Sequence, residues 1–155
     1  MKTITLLAVA VLSYAPFGLA GNNAAYPTEQ VAAFVAQKLD LTSLPATFRL
    51  KKEKGKKTIA DYGFIAQTVS ENEAVIEGAS GAKKFAITIL DQTSSGIYAC
   101  VAEPGEDGGT VKTQTAILLK RKDASALLKA RESWREFAAC PVIGGSDSTT
   151  SAYGD

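Results

Sequence analysis

The 155-residue chain carries 17 basic and 16 acidic residues, two cysteines and no histidine. A charge balance this close to neutral argues against a generic polyanion binder. The absence of histidine removes the commonest general base at neutral pH and with it every Ser-His or Cys-His catalytic pair.

Taken in order, the chain opens with Met1-Lys-Thr and an apolar stretch from Ile4 to Leu12, and reaches Gly18-Leu19-Ala20, small residues spaced for signal peptidase. Residues 1–20 therefore read as a secretory signal rather than a membrane span, because Ser13 and Pro16 interrupt a run that would need about 20 apolar residues. No lipid-carrying cysteine follows, so no membrane insertion is expected. Removing the signal takes away Lys2 alone and leaves acids and bases in balance. The remainder, residues 21–143, suffices for one domain.

Pro27-Thr-Glu-Gln predicts the start of a helix, and Val31, Phe34, Val35 and Leu39 follow on one apolar stripe. Leu44-Pro45 ends it and opens an extended segment from Thr47 to Lys51, where Phe48 and Leu50 alternate with polar neighbours. Residues 51–57, Lys-Lys-Glu-Lys-Gly-Lys-Lys, read as a hairpin tip with Gly55 in the turn. Its five lysines and one glutamate form the densest charge cluster in the chain. They suit either a contact surface for phosphate or an acidic partner, or a solvated loop that discourages edge pairing. Thr58 to Val69 predicts a strand with a bulge near Asp61 and Gly63.

Ala74 to Gly78 adds a short strand, and Lys83 to Glu103 a central hairpin turning at Gln92–Gly96. Phe85, Ile87 and Ile89 share a face in its first arm, as do Ile97, Ala99 and Val101 in its second. A glycine-rich acidic loop, 104–109, leads to a sixth strand from Thr110 to Leu119. Asp123 predicts the N-cap of a second helix, Ala124 to about Ala139, in which Leu127, Leu128, Ala130, Trp134, Phe137 and Ala138 form the apolar side and Trp134 anchors it to the sheet. Residues 144–155 read as a disordered Gly/Ser/Thr-rich tail. The predicted fold is thus α+β: an N-terminal helix, a six-stranded antiparallel meander and a C-terminal helix.

Cys100 and Cys140 are predicted to form one disulfide, since exported proteins meet oxidising conditions and no further ligand completes a metal site. No phosphate loop, dinucleotide fingerprint or calcium loop is present, so neither metal nor cofactor is expected. Gly78-Ala-Ser-Gly-Ala82 approaches a nucleophile elbow, but its second glycine falls one position early. Ser80-Gly-Ala-Lys83 fits a Ser-x-x-Lys pattern placed between strands rather than on a helix. Asp61, Glu77 and Asp91, with Glu103 beyond them, are the acids a carboxylate-dependent hydrolase would draw on.

The order helix, Leu44-Pro-Ala-Thr-Phe48, Tyr62-Gly-Phe-Ile65, Gly78-Ala-Ser-Gly-Ala-Lys-Lys-Phe-Ala-Ile87 and Gly96-Ile-Tyr-Ala-Cys-Val101 resembles the secreted fungal guanyl-specific ribonucleases and the ribonuclease-like effectors of the same fold. The resemblance covers about residues 27 to 103. It implies loss of catalysis: Gly63 takes the place of the family's glutamate, Lys83 and Lys84 replace its Asp-Arg pair, and Glu103 lies near its histidine. A shorter segment, Ala79-Ser-Gly-Ala-Lys83, looks like the protruding loop of some bacterial lysozyme inhibitors. The leading expectation is a monomeric, secreted, non-enzymatic binding protein, effector-like, whose partner is a protein or RNA. A carboxylate hydrolase, an enzyme inhibitor and a surface structural protein are the alternatives. Its expected binding residues are Lys51, Lys52, Lys54, Lys56, Lys57, Ser80, Lys83 and Lys84.

Overall fold

Alternating apolar residues from Phe64 onward build a sheet, and among the described residues one helix covers a face of it. The computed structural model of the protein describes residues 26–79, 81, 83–105 and 110–141. In chain order it contains helix α1 (Val31–Lys38), a 3-10 turn (Leu41–Ser43), and strands β1 (Phe64–Ser70), β2 (Glu73–Gly78), β3 (Lys84–Thr93), β4 (Gly96–Pro104), β5 (Val111–Lys120) and β6 (Lys129–Glu132). The strands form one antiparallel sheet in the order β1-β2-β3-β4-β5-β6. The expected signal (1–20) and tail (144–155) lie outside the described residues.

Register explains the core. Ile76 sits opposite Phe85, Ala74 opposite Ile87, Ile87 opposite Val101, Ala99 opposite Ile117, and Ile97 opposite Leu119, which faces Ala130. All point to the face that α1 covers with Val31, Ala32, Val35 and Ala36, and Leu39, Leu41, Leu44 and Phe48 extend the same buried cluster. Each large side chain of this kind removed from water contributes about 1.5–3 kcal/mol. The predicted stripes of β3 and β4 are the sheet's interior.

Several boundaries differ from expectation. Helix α1 begins at Val31 rather than at Pro27, because Gln30 takes a left-handed conformation (φ 50°) that breaks the first turn. Thr47 to Lys51 is no strand. The amides of Phe48 and Arg49 both donate to Pro45 O at 2.9 Å, curling the segment so that Phe48 is buried while Arg49 stays exposed. Strand β1 starts six residues later than Thr58, since Asp61 and Gly63 (φ 69°) hold residues 58–63 in turns.

The sheet reaches six strands through β6, inside the segment expected to be a second helix. Asp123 does accept from the amides of Ser125 and Ala126, both at 2.9 Å, but only as a local turn. Leu128 then forms a parallel bridge with Leu39, its amide donating to Lys38 O (2.7 Å) and its carbonyl accepting from Asp40 (2.8 Å). Leu119 next pairs with Ala130. These distant backbone partners override a helical pattern of apolar residues. Trp134, expected in the core, is 90% exposed.

Beyond β6 the chain crosses the opposite face of the sheet as a strap. The disulfide joins Cys100 on β4 to Cys140 with their Cα atoms 5.7 Å apart. Phe137 lies 5.4 Å from the Tyr98 ring, and the Arg135 guanidinium sits over both rings while contacting Asp91 at 2.7 Å. Gln114 fixes the strap's end through Nε2 to Pro141 O (2.8 Å).

Candidate anion-binding surface

Five lysines in seven residues repel one another, so an untethered loop would spread them into solvent. Here the loop is tied. Tyr62 donates its hydroxyl to Lys51 O (3.0 Å) and accepts from the Glu53 amide (3.4 Å), while the Lys56 ammonium stands 5.6 Å from the ring centre. Asp61 Oδ2 receives the amides of Thr58 (2.8 Å) and Lys57 (2.9 Å), which holds its carboxyl below the usual aspartate range. Gly55 (φ 83°) makes the turn, and Lys56 bonds Glu53 at 2.7 Å, which raises its ammonium pKa. Lys51, Lys52, Lys54 and Lys57 make no ion pair among the described residues. All four are exposed.

The far end of this loop meets the seam between the N-terminal segment and the last strands. The Leu41 amide donates to Lys57 O (2.8 Å), and Ala130 donates to Ser43 Oγ (2.8 Å). Together with the Leu39–Leu128 bridge, these bonds place Lys57 beside Lys120 at the end of β5, Lys122 just past it, and Lys129, which pairs with Lys120. The four lysines line a pocket of about 310 Å³ with Asp40, Ala126 and Leu127. None of the four is ion-paired among the described residues. Arg121, between two of them in sequence, lies instead over the rings of Tyr26 (5.3 Å) and Phe34 (5.0 Å).

Of the other expected binding residues, Ser80 lies outside the described residues. Lys84 stands 4.0 Å from Glu77 and lines a larger groove, about 640 Å³, on the strap-bearing face with Glu73, Val75, Ala86, Ala102 and Ala139. Lys83 is half-buried, its carbonyl accepting from Gly78 at 2.9 Å. Among the described residues, the two basic features singled out from sequence thus line different pockets, Lys57 one and Lys84 the other. Lys120, Lys122 and Lys129, which do join the loop, are not legible as its neighbours in the sequence because contacts between chain-distant segments, the parallel bridge among them, bring them to Lys57. Their spacing is visible afterwards as a basic run, 120–122, ending a strand.

The candidate acids are all engaged. Asp61 caps amides, Glu77 faces Lys84, Asp91 holds Arg135, and Glu103 lies 3.7 Å from Lys112. Gly63 has no side chain to act as base. Among the described residues no group of His, Cys, Asp or Glu is arranged to hold a metal ion, and no helix is long and apolar enough to cross a membrane. In comparisons with known proteins, no family model, no curated protein and no solved structure matches the chain.

Proposed function

We propose that this is a secreted, non-enzymatic binding protein, effector-like in kind, that holds an acidic macromolecule against its basic end. The observation that carries the reading is the tethered loop. Four ammonium groups with no ion pair among the described residues sit on a backbone already fixed by Tyr62 and Asp61, and run into a pocket lined by three further lysines, Lys120 of β5, Lys122 just past it and Lys129 of β6. A preorganised site loses less conformational entropy on binding than a mobile one. The disulfide suits an oxidising compartment and the signal-like N-terminus suits export. Engagement of Asp61, Glu77, Asp91 and Glu103 in hydrogen bonds or ion pairs favours binding over carboxylate hydrolysis.

The test uses residues 21–155 titrated into fluorescently labelled single-stranded RNA and into labelled heparin, with anisotropy and strand length followed together. Replacing Lys51, Lys52 and Lys54 by glutamate is expected to abolish binding to at least one polymer without unfolding the protein. Unchanged affinity, or no binding to either polymer, would refute the reading. Shortening of the RNA would refute its non-enzymatic part.

A further inference from the structure

The pocket beneath the loop has a mixed lining that a bare phosphate chain would not need. Lys57, Lys120, Lys122 and Lys129 supply positive charge, Ala126 and Leu127 an apolar wall, and Asp40 a carboxylate in their midst. Asp40 is 5% exposed and uses Oδ1 alone, accepting from the amide (3.0 Å) and the hydroxyl (2.7 Å) of Thr42. Its Oδ2 has no hydrogen-bond partner among the described residues.

We infer that this pocket is a subsite for one anionic sugar residue, a saccharide unit bearing a sulfate or phosphate ester. The inference deepens the proposed function and rests on its reading of the basic end. An inorganic anion gains from the lysines but is repelled by Asp40, whereas a sugar presents hydroxyl donors that turn the free carboxylate oxygen into a partner. The carbon face of a sugar ring fits against Leu127 and Ala126. A volume of about 310 Å³ lies at the small end of ligand sites, room for a ring and its ester.

Two other ligands fit less well. Single-stranded nucleic acid is held largely by stacking bases on aromatic rings, and among the described residues no aromatic lines the pocket. Tyr62 lies beneath Lys56, and Tyr26 and Phe34 beneath Arg121. A phosphopeptide calls for arginine forks; among the described residues the cations of the lining are all lysines.

Calorimetry on residues 21–155 would compare a heparin-derived sulfated tetrasaccharide, a phosphorylated oligosaccharide of the same length, an uncharged one, inorganic sulfate, and a thymidine oligonucleotide of matched charge. The sulfated and phosphorylated arms show which ester the pocket takes. A charged saccharide is expected to bind at least about tenfold tighter than the oligonucleotide, and the Lys122→Glu, Lys129→Glu double variant to lose about tenfold or more of that affinity. Both lysines are exposed, so this variant is expected to fold. Asp40→Asn should weaken the saccharide while strengthening inorganic sulfate, an opposition that mere structural damage would not produce. Should that variant unfold, the double lysine variant decides alone. Equal binding of oligonucleotide and saccharide, or saccharide affinity untouched by the double variant, overturns the subsite. If the Lys51, Lys52, Lys54 variant then still releases heparin, the proposed function survives; if it does not, both fall.

Discussion

Asp61 shows how one side chain fixes the placement of several others. By receiving two successive amides it halts the chain between the lysine loop and β1, and those bonds explain its lowered pKa. A depressed folded-state value means that the carboxylate's contribution is fully present above the ordinary aspartate pKa of about 3.9 and is lost as pH falls through the lower native value. The Lys57 and Thr58 amide resonances should therefore hold their native positions at pH 5 and move only below about pH 4. Displacement at pH 5 would show that the capping bonds do not organise the loop. Gly96 answers to a different constraint. A Cβ there would lie 2.6 Å from Leu119 O and 2.9 Å from Leu118 Cδ1, so Gly96→Ala must push β4 away from β5. It should cost about 1–3 kcal/mol in urea unfolding, the usual range for overpacking. At this scale the sequence was legible wherever alternation decided burial, as for Phe85, Ile87, Ile97, Ala99 and Val101. It was illegible at Trp134, whose apolar neighbours suggested a core place that β6 and the strap do not provide.

The segment after Asp123 demonstrates how elements compete. Leu127, Leu128, Ala130, Phe137 and Ala138 fit a helical stripe, yet a helix would forfeit the Leu128 bonds to the N-terminal segment, the pairing of Ala130 with Leu119, and the closure of Cys140 onto Cys100. Tertiary partners outweigh propensity here, and local pattern carries no information about them. The disulfide itself was legible, because the chain holds only two cysteines and no histidine to complete a metal site with them. Its strap depends on it. Cys100→Ser with Cys140→Ser closes no loop across 40 residues of sequence, and in the chain-entropy model that should lower stability by about 4 kcal/mol. The double variant should melt lower in a denaturant titration, and an unchanged midpoint would mean that the Arg135, Tyr98 and Phe137 stack holds the strap unaided.

For the whole molecule, near-neutral composition concealed an uneven surface. Acids and bases balance along the chain, but folding gathers Lys57, Lys120, Lys122 and Lys129 at one place beside the loop lysines. Net charge could not reveal this, since clustering depends on which chain-distant segments meet. If the basic end grips phosphates by counterion release, RNA affinity should fall linearly on a log–log plot of binding against salt. Replacing three loop lysines should then flatten the slope by about two, from roughly 0.7 per phosphate contact on a single strand. A slope indifferent to those substitutions would place the contacts elsewhere.

The seam joining Leu39 to Leu128 also bears on how the molecule assembles and opens. Every pairing within the sheet links neighbours in the chain, so the strands can zip together from the β3–β4 hairpin at little loop-closure cost. The Leu39–Leu128 bridge instead closes almost ninety residues of sequence in one step. Closing so long a loop carries an entropic cost that the backbone bonds and the burial of Leu39 and Leu128 in the core must offset. The four-lysine pocket exists only while that clasp is shut. Occupancy of the pocket is thereby linked to the clasp: whatever binds there stabilises the closed clasp and should increase the protection of the same amides from exchange.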